Sequence, residues 1–127
     1  MNFKKFALLG AQAADDKKAG RIVIMDVKKL TPIADYFIIC EGESTTQVRA
    51  ISESVEKALK TEGLYHLHKE GKANSRWLLL DYGGIIVHIF HKEARSFYNL
   101  ERIWGEAREV EWEAKPAPAK ARRKTVK

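Results

Sequence analysis

The chain has 127 residues, one domain's worth, and with 45% of them hydrophobic it can bury a single modest core, which excludes a second domain. Its only cysteine, Cys40, excludes an intramolecular disulfide and fits a reducing, cytoplasmic setting, and no apolar run reaches the about 18 residues that a membrane span needs. The net charge of +6 is a property of one end: residues 1–114 hold 17 basic and 17 acidic side chains, so Lys115, Lys120, Arg122, Arg123, Lys124 and Lys127 carry the whole excess, and the pI near 9.5 does not imply a basic face on the folded part.

Asn2 is a candidate N-cap for a first helix over residues 3–19, with Gly20 as the closing glycine. The opening Lys4, Lys5 and the short apolar stretch after them imitate a secretion signal, but Phe3, Phe6, Ala7 and Gly10 recur at helical spacing and favour a helix of the fold. Ile22-Val23-Ile24-Met25 and Ala34 to Cys40 are continuous apolar runs of strand length, separated at Pro32, as strands hidden on both faces are. Ser44 with Gln47 three residues on forms a capping box; Val48, Ile51, Val55 and Leu59 then make one apolar stripe, and Gly63 ends that helix. Leu64 to His68 reads as a further strand.

Arg76 to Phe90 reads as a hairpin around Gly83-Gly84, a pair suited to a two-residue turn. That turn sets residue 82 opposite 85, 80 opposite 87 and 78 opposite 89, so Leu78, Leu80, Tyr82, Ile85, Val87 and Ile89 share a core face. The other face carries Trp77 opposite Phe90, Leu79 opposite His88 and Asp81 opposite Ile86, with Asp81 and His88 as diagonal neighbours. Such a mixture suits a protein-binding patch. It equally suits a second buried face on which Asp81 and His88 satisfy each other. Residues 93–104 form a short helical segment with Arg95, Phe97, Tyr98, Leu100 and Trp104, a composition fit either to close a core or to face a partner. Past residue 107 the Ala, Pro and Lys-rich sequence has little to bury and reads as a disordered basic tail.

Chemistry-bearing groups are sparse. His66-x-His68 and His88-x-x-His91 lack the third and fourth ligands of a metal site, so no metal or other cofactor is expected. Cys40 ends a buried strand, and Ser44 is occupied as a cap. Gly42-Glu43-Ser44 stands between strand and helix as the phosphate-holding turn of a nucleotidyltransferase does, yet Glu41 and Glu43 repel phosphate and no Asp-x-Asp pair follows.

Trp77 to Gly83, then Val87-His88-Ile89-Phe90-His91, then Arg95-Ser96-Phe97-Tyr98-Asn99-Leu100-Glu101-Arg102-Ile103-Trp104-Gly105 closely resembles the signature of the Iojap family of ribosomal silencing factors. Ala34 to Ile39 and Gln47-Val48 agree in order and spacing, so the resemblance spans roughly residues 3–107 and defines the domain as 1–107 with a tail at 108–127. It implies an α/β domain with a mixed sheet of about five strands and flanking helices, like a nucleotidyltransferase without catalytic carboxylates. It also implies a non-enzyme that binds the fourteenth protein of the large ribosomal subunit, blocks joining of the small subunit and represses translation when nutrients are short, with a part in large-subunit assembly. Carried over, the contact residues are Trp77, Leu79, Asp81, Tyr82, His88, Phe90, Arg95, Tyr98, Leu100 and Trp104. Cys40-Glu41, Glu43 and Gly84 depart from the family's usual residues. The tail lies outside the resemblance; Lys120, Arg122, Arg123 and Lys124 are candidates for unspecific contact with ribosomal RNA phosphates. A homodimer of the free protein through the same apolar face is a further expectation. Two rival classes make other predictions: a degenerate nucleotidyltransferase would bind ATP or CTP with magnesium, and a nucleic-acid binder would lose ribosome affinity with the tail rather than with Trp77.

Overall fold

The computed structural model describes residues 2–71, 75–99 and 104–112. Asn2 caps the first helix, α1 (Phe3–Asp16), by accepting from the Lys5 amide at 3.2 Å. Ala7, Gly10, Ala11 and Ala14 form its buried stripe, so the segment that imitates a secretion signal is a packed helix of the fold. The helix ends three residues earlier than its pattern predicts, because Lys18 rather than Gly20 takes the left-handed conformation, at φ 62°. Gly20 instead opens strand β1 (Gly20–Asp26), which pairs antiparallel with β2 (Tyr36–Gly42).

Helix α2 (Thr45–Thr61) carries the predicted stripe inward, with Val48, Ile51, Val55 and Leu59 all buried. Ser44 Oγ accepts from the Gln47 amide at 3.1 Å, while Gln47 Oε1 accepts from the Glu43 amide at 2.6 Å, so the return bond of the box falls one residue upstream of the cap. Gln47 Nε2 also donates to the carbonyls of Lys17 and Lys18 at 3.0 and 3.1 Å, and one side chain thereby joins the start of α2 to the end of α1.

The remaining elements are β3 (His68–Glu70), β4 (Trp77–Asp81), β5 (Ile85–His91), α3 (Lys92–Tyr98) and β6 (Arg108–Val110). The sheet runs β3-β4-β5-β2-β1-β6, with a parallel pair β2/β5 at its centre and antiparallel pairs outside. This is the expected single α/β domain with a mixed sheet, but with six strands rather than about five. Two corrections account for the difference from the sequence reading. Strand β3 starts at His68 and not at Leu64, whose amide closes α2 by donating to the Leu59 carbonyl at 2.9 Å. Residues 108–112, assigned by composition to the tail, belong to the folded unit: β6 covers the edge of β1, and Trp112 Nε1 donates to the Ile22 carbonyl at 3.3 Å.

Both helices of the first half lie on one face of the sheet, over Ile24, Ile38, Leu78, Leu80, Val87 and Ile89. On the opposite face a smaller cluster of Met25, Val27, Ala34, Phe37, Ile39, Ile86 and Phe90 meets Ala94 of α3. A seven-residue helix covers less than two long ones do, and the second face is left partly open.

The β4–β5 turn has the predicted register, with Leu78 opposite Ile89 and Leu80 opposite Val87. Only Gly83, at φ 85°, takes a positive value, which excludes the I′ pattern, and the Gly84 amide donates to the Tyr82 carbonyl at 3.1 Å around it. Gly84 is required for space: a Cβ there would fall 2.2 Å from a ring carbon of Phe3. Gly84→Ala is therefore expected to lower stability by about 1–3 kcal/mol through overpacking, read as an earlier urea midpoint at unchanged slope, and the difference should vanish in a Phe3→Ala background.

Candidate functional site

Strand alternation sends Trp77, Leu79 and Asp81 of β4 and Ile86, His88 and Phe90 of β5 to the partly open face, in the expected pairs Trp77–Phe90, Leu79–His88 and Asp81–Ile86. The face has two layers. Phe90 is fully buried and His88 is 6% exposed, together with Phe37 from β2, while Trp77, Leu79, Asp81 and Trp104 are half-buried above and beside them. The Trp77 ring stacks on Phe90 with centroids 4.9 Å apart; Phe37 meets His88 edge-on at 5.0 Å, and Trp104 meets Phe37 edge-on at 5.3 Å. The lower layer is a buried face, whereas the upper layer keeps part of its surface open.

Asp81 and His88 do not pair. Asp81 Oδ1 accepts from the Gly83 amide at 2.8 Å and stiffens the turn, whereas His88 Nδ1 accepts from Trp77 Nε1 at 3.2 Å. A twisted antiparallel pair draws one diagonal together and parts the other, and here Trp77 holds the close one. Nε2 of His88 has no hydrogen-bond partner among the described residues. Burial holds the imidazole neutral by lowering its pKa from 6.5 to about 4.

That shift has a sign. The unfolded ring takes up its proton as pH falls through 6.5 while the folded one resists until about 4, so protonation favours the unfolded chain across this window. His88 is expected to cost about 3 kcal/mol of stability at pH 4 relative to neutral pH, and His88→Phe should flatten the unfolding free energy between those limits.

Besides Phe90 and His88, buried in the floor of this face, two further expected contact residues are buried away from it. Tyr82 is 4% exposed and faces the core under α2, its ring meeting His66 edge-on at 6.2 Å; its position in the hairpin alternation dictates this. Arg95 is 1% exposed: Nη1 donates to the Arg21 carbonyl at 2.5 Å and to Glu41 Oε1 at 3.4 Å. Its guanidinium ties α3 to β1 and β2 and offers no surface. Leu100, Lys120, Arg122, Arg123 and Lys124, and the side chain of Tyr98, lie outside the described residues.

Phe37, which the sequence reading left unassigned, forms the floor of the face. Its strand is apolar throughout, which conceals the period-two pattern, and only pairing with Ile86 across the parallel β2/β5 ladder assigns its side. The histidines expected on one strand face also part: His66 Nδ1 stands 3.6 Å from Glu56 of α2, and His68 Nε2 meets Glu70 at 2.8 Å on the other side of the sheet. Among the described residues no three His, Cys, Asp or Glu side chains converge as a metal site requires, and no helix is long and apolar enough to cross a membrane. Burial pushes the Cys40 thiol up to about 12, leaving no thiolate at neutral pH. Just before α2, Glu43 pairs with Lys92 at 2.8 Å, which holds its carboxyl below the usual range, so the turn where a phosphate would bind carries a negative charge.

Known proteins are similar to this chain in sequence and in fold. The family model described as "Ribosomal silencing factor during starvation" matches residues 2–127. A ribosomal silencing factor of Halalkalibacterium halodurans is 42% identical over 89% of this chain and 97% of its own, and that of Bacillus subtilis is 42% identical over 84% and 91%. The chloroplastic Iojap protein of Zea mays is 37% identical over 84% of this chain, which spans 46% of that longer protein. Among solved structures, one from Chromobacterium violaceum superimposes with a TM-score of 0.80 at 30% identity, covering 92% of this chain and 97% of its own; one from Bacillus halodurans does so at 0.75 and 38%, covering 85% and 98%. The chain belongs to the family of ribosomal silencing factors.

Proposed function

We propose that this protein binds the large ribosomal subunit at its fourteenth protein and sterically prevents the small subunit from joining, which represses translation when nutrients are short. Beyond family membership, the observation that carries this reading is the partly covered second face, where half-buried Trp77, Leu79 and Trp104 stand over a floor of Phe37, His88 and Phe90. Apolar surface rimmed by polar groups such as Asp81 and Glu70 is the make-up of a docking patch, and aromatic anchors at its centre supply most of the affinity in such interfaces.

The mechanism is exclusion, with no bond made or broken. The available groups favour it over catalysis: the only thiol is buried and protonated, Asp81 is engaged with a turn amide, and Glu43, paired with Lys92, puts a negative charge in the turn between β2 and α2. In the free protein the same face pairs two copies, so dimer and ribosome complex exclude each other. The basic tail, with Lys120, Arg122, Arg123 and Lys124, adds a salt-dependent contact to ribosomal RNA without sequence preference.

The test is a sucrose gradient of purified ribosomal subunits with the protein added before magnesium drives joining. Co-migration with large subunits and loss of joined ribosomes is the expected result; unhindered joining would overturn the proposal. Removing residues 115–127 is expected to weaken binding and flatten its salt dependence, and an unchanged salt slope would remove the tail from the mechanism.

A further inference from the structure

His88 stands in the floor of the half-open face with one ring nitrogen engaged and the other unsatisfied. Indole Nε1–H can only donate, so the 3.2 Å contact from Trp77 makes Nδ1 an acceptor. In a neutral imidazole the proton must then reside on Nε2. The face therefore holds an oriented N–H donor, ringed by Phe37, Trp77 and Phe90, with no acceptor among the described residues. Phenylalanine would fill such a place without the unsatisfied Nε2 donor, and although it removes the acceptor of the Trp77 indole N–H, that side chain is only half-buried and can turn the N–H to water, so the polar nitrogen lowers the stability of the free protein.

We propose that Nε2–H of His88 is the hydrogen-bond donor by which this face recognises its partner, and that the partner's matching group is an uncharged carbonyl oxygen set in line with Nε2–H, in the plane of the imidazole, as its apolar side chains cover Trp77 and Leu79. The proposal rests on the docking reading above and specifies its chemistry. A carbonyl is favoured over a carboxylate because Asp81 and Glu70 lie on the same side of the sheet, paired in register with His68 and Leu79, and would repel a negative group. Nε2 of His88 is itself closed off in the free protein, and the half-buried Trp77 stands beside it, so contact requires a side-chain adjustment of the kind interfaces commonly make to uncover the nitrogen. A surface so equipped discriminates by chemistry: a partner that covers the rings without supplying an oxygen leaves the donor buried and unpaired.

The experiment has two arms. In the first, the free protein labelled with nitrogen-15 is examined by long-range proton–nitrogen correlation of the histidine rings; His88 is expected as the Nε2–H tautomer at neutral pH, and the Nδ1–H tautomer would overturn the proposal. In the second, wild type, His88→Phe and His88→Gln are titrated with isolated large subunits while their melting temperatures are recorded. His88→Phe is expected to melt no lower than wild type yet bind roughly tenfold more weakly, with His88→Gln, which retains an N–H, binding more tightly than His88→Phe. Equal affinity for wild type and His88→Phe, or a glutamine variant no better than phenylalanine, would overturn it. Should wild type itself not bind large subunits, the docking reading fails rather than the assignment of the donor, which the tautomer reports independently.

Discussion

Replacing Glu41 by glutamine is expected to lower the unfolding free energy by about 3 kcal/mol, because it removes the carboxylate 3.4 Å from the buried Arg95 guanidinium. Arg95 is 1% exposed and the Glu41 side chain 14%, so water does little to compensate either charge. The backbone is shaped around the pair. The β1/β2 register shifts between Gly20 and Val23, Arg21 takes φ 45°, and its carbonyl accepts from the guanidinium at 2.5 Å. The Arg21 side chain also stands 3.6 Å from Glu41 but is 61% exposed, and so adds little. Glutamine preserves the shape and an acceptor while deleting the charge. Arg95→Met removes the demand for that charge, so the double variant should cost less than the sum of the singles. A urea-denaturation cycle measures this directly; a coupling below about 0.5 kcal/mol would mean that the pair is not what holds α3 to the sheet.

Such a tie is hard to anticipate from the chain. Arg95 belongs to a run of aromatic and basic side chains that suits a surface, and its carboxylate lies 54 residues away on another element. Where local pattern decides, the outcome was legible: the Ser44–Gln47 cap, the stripe from Val48 to Leu59, and the register through Gly83-Gly84 each depend on residues a few positions apart. Where pairing between distant segments decides, it was not. Arg108-Glu109-Val110 is short and mostly charged, and it becomes a strand because β1 offers an unpaired edge. Lys18 takes the left-handed turn that Gly20 could have supplied because Gly20 is already opposite Glu41 in the sheet.

The candidate face shows the same division. Which side chains share it follows from strand alternation and was readable; how deeply each is buried depends on what packs above, and that was not. Alternation already set Tyr82 on the core face and Phe90 on the other, and the structure keeps that division, yet Phe90 is buried as completely as a core residue. Asp81 and His88 were plausible partners by spacing, but the twist of the sheet and the donor-only indole of Trp77 decided the bond. That outcome turned a satisfied pair into an oriented donor.

Trp77→Ala is expected to be the most damaging single change to large-subunit binding, with affinity falling by about 30- to 1000-fold, the range of a central aromatic hot spot. Trp77 is at once half-buried, stacked on Phe90 at 4.9 Å and bonded to His88, so its loss removes contact area and frees Nδ1 to change tautomer. Its effect on folding should be smaller, because the indole is not fully buried and the floor beneath it stays packed. Trp77→Phe separates the contributions: it keeps an aromatic ring over Phe90 but deletes the donor, and should bind between wild type and alanine. Titration with large subunits alongside urea melts gives the required split. Affinity that falls far more than stability locates the anchor in the interface; affinity that follows stability across Trp77→Ala, Trp77→Phe and Leu79→Ala would mean that the face only closes the core and the docking surface lies elsewhere.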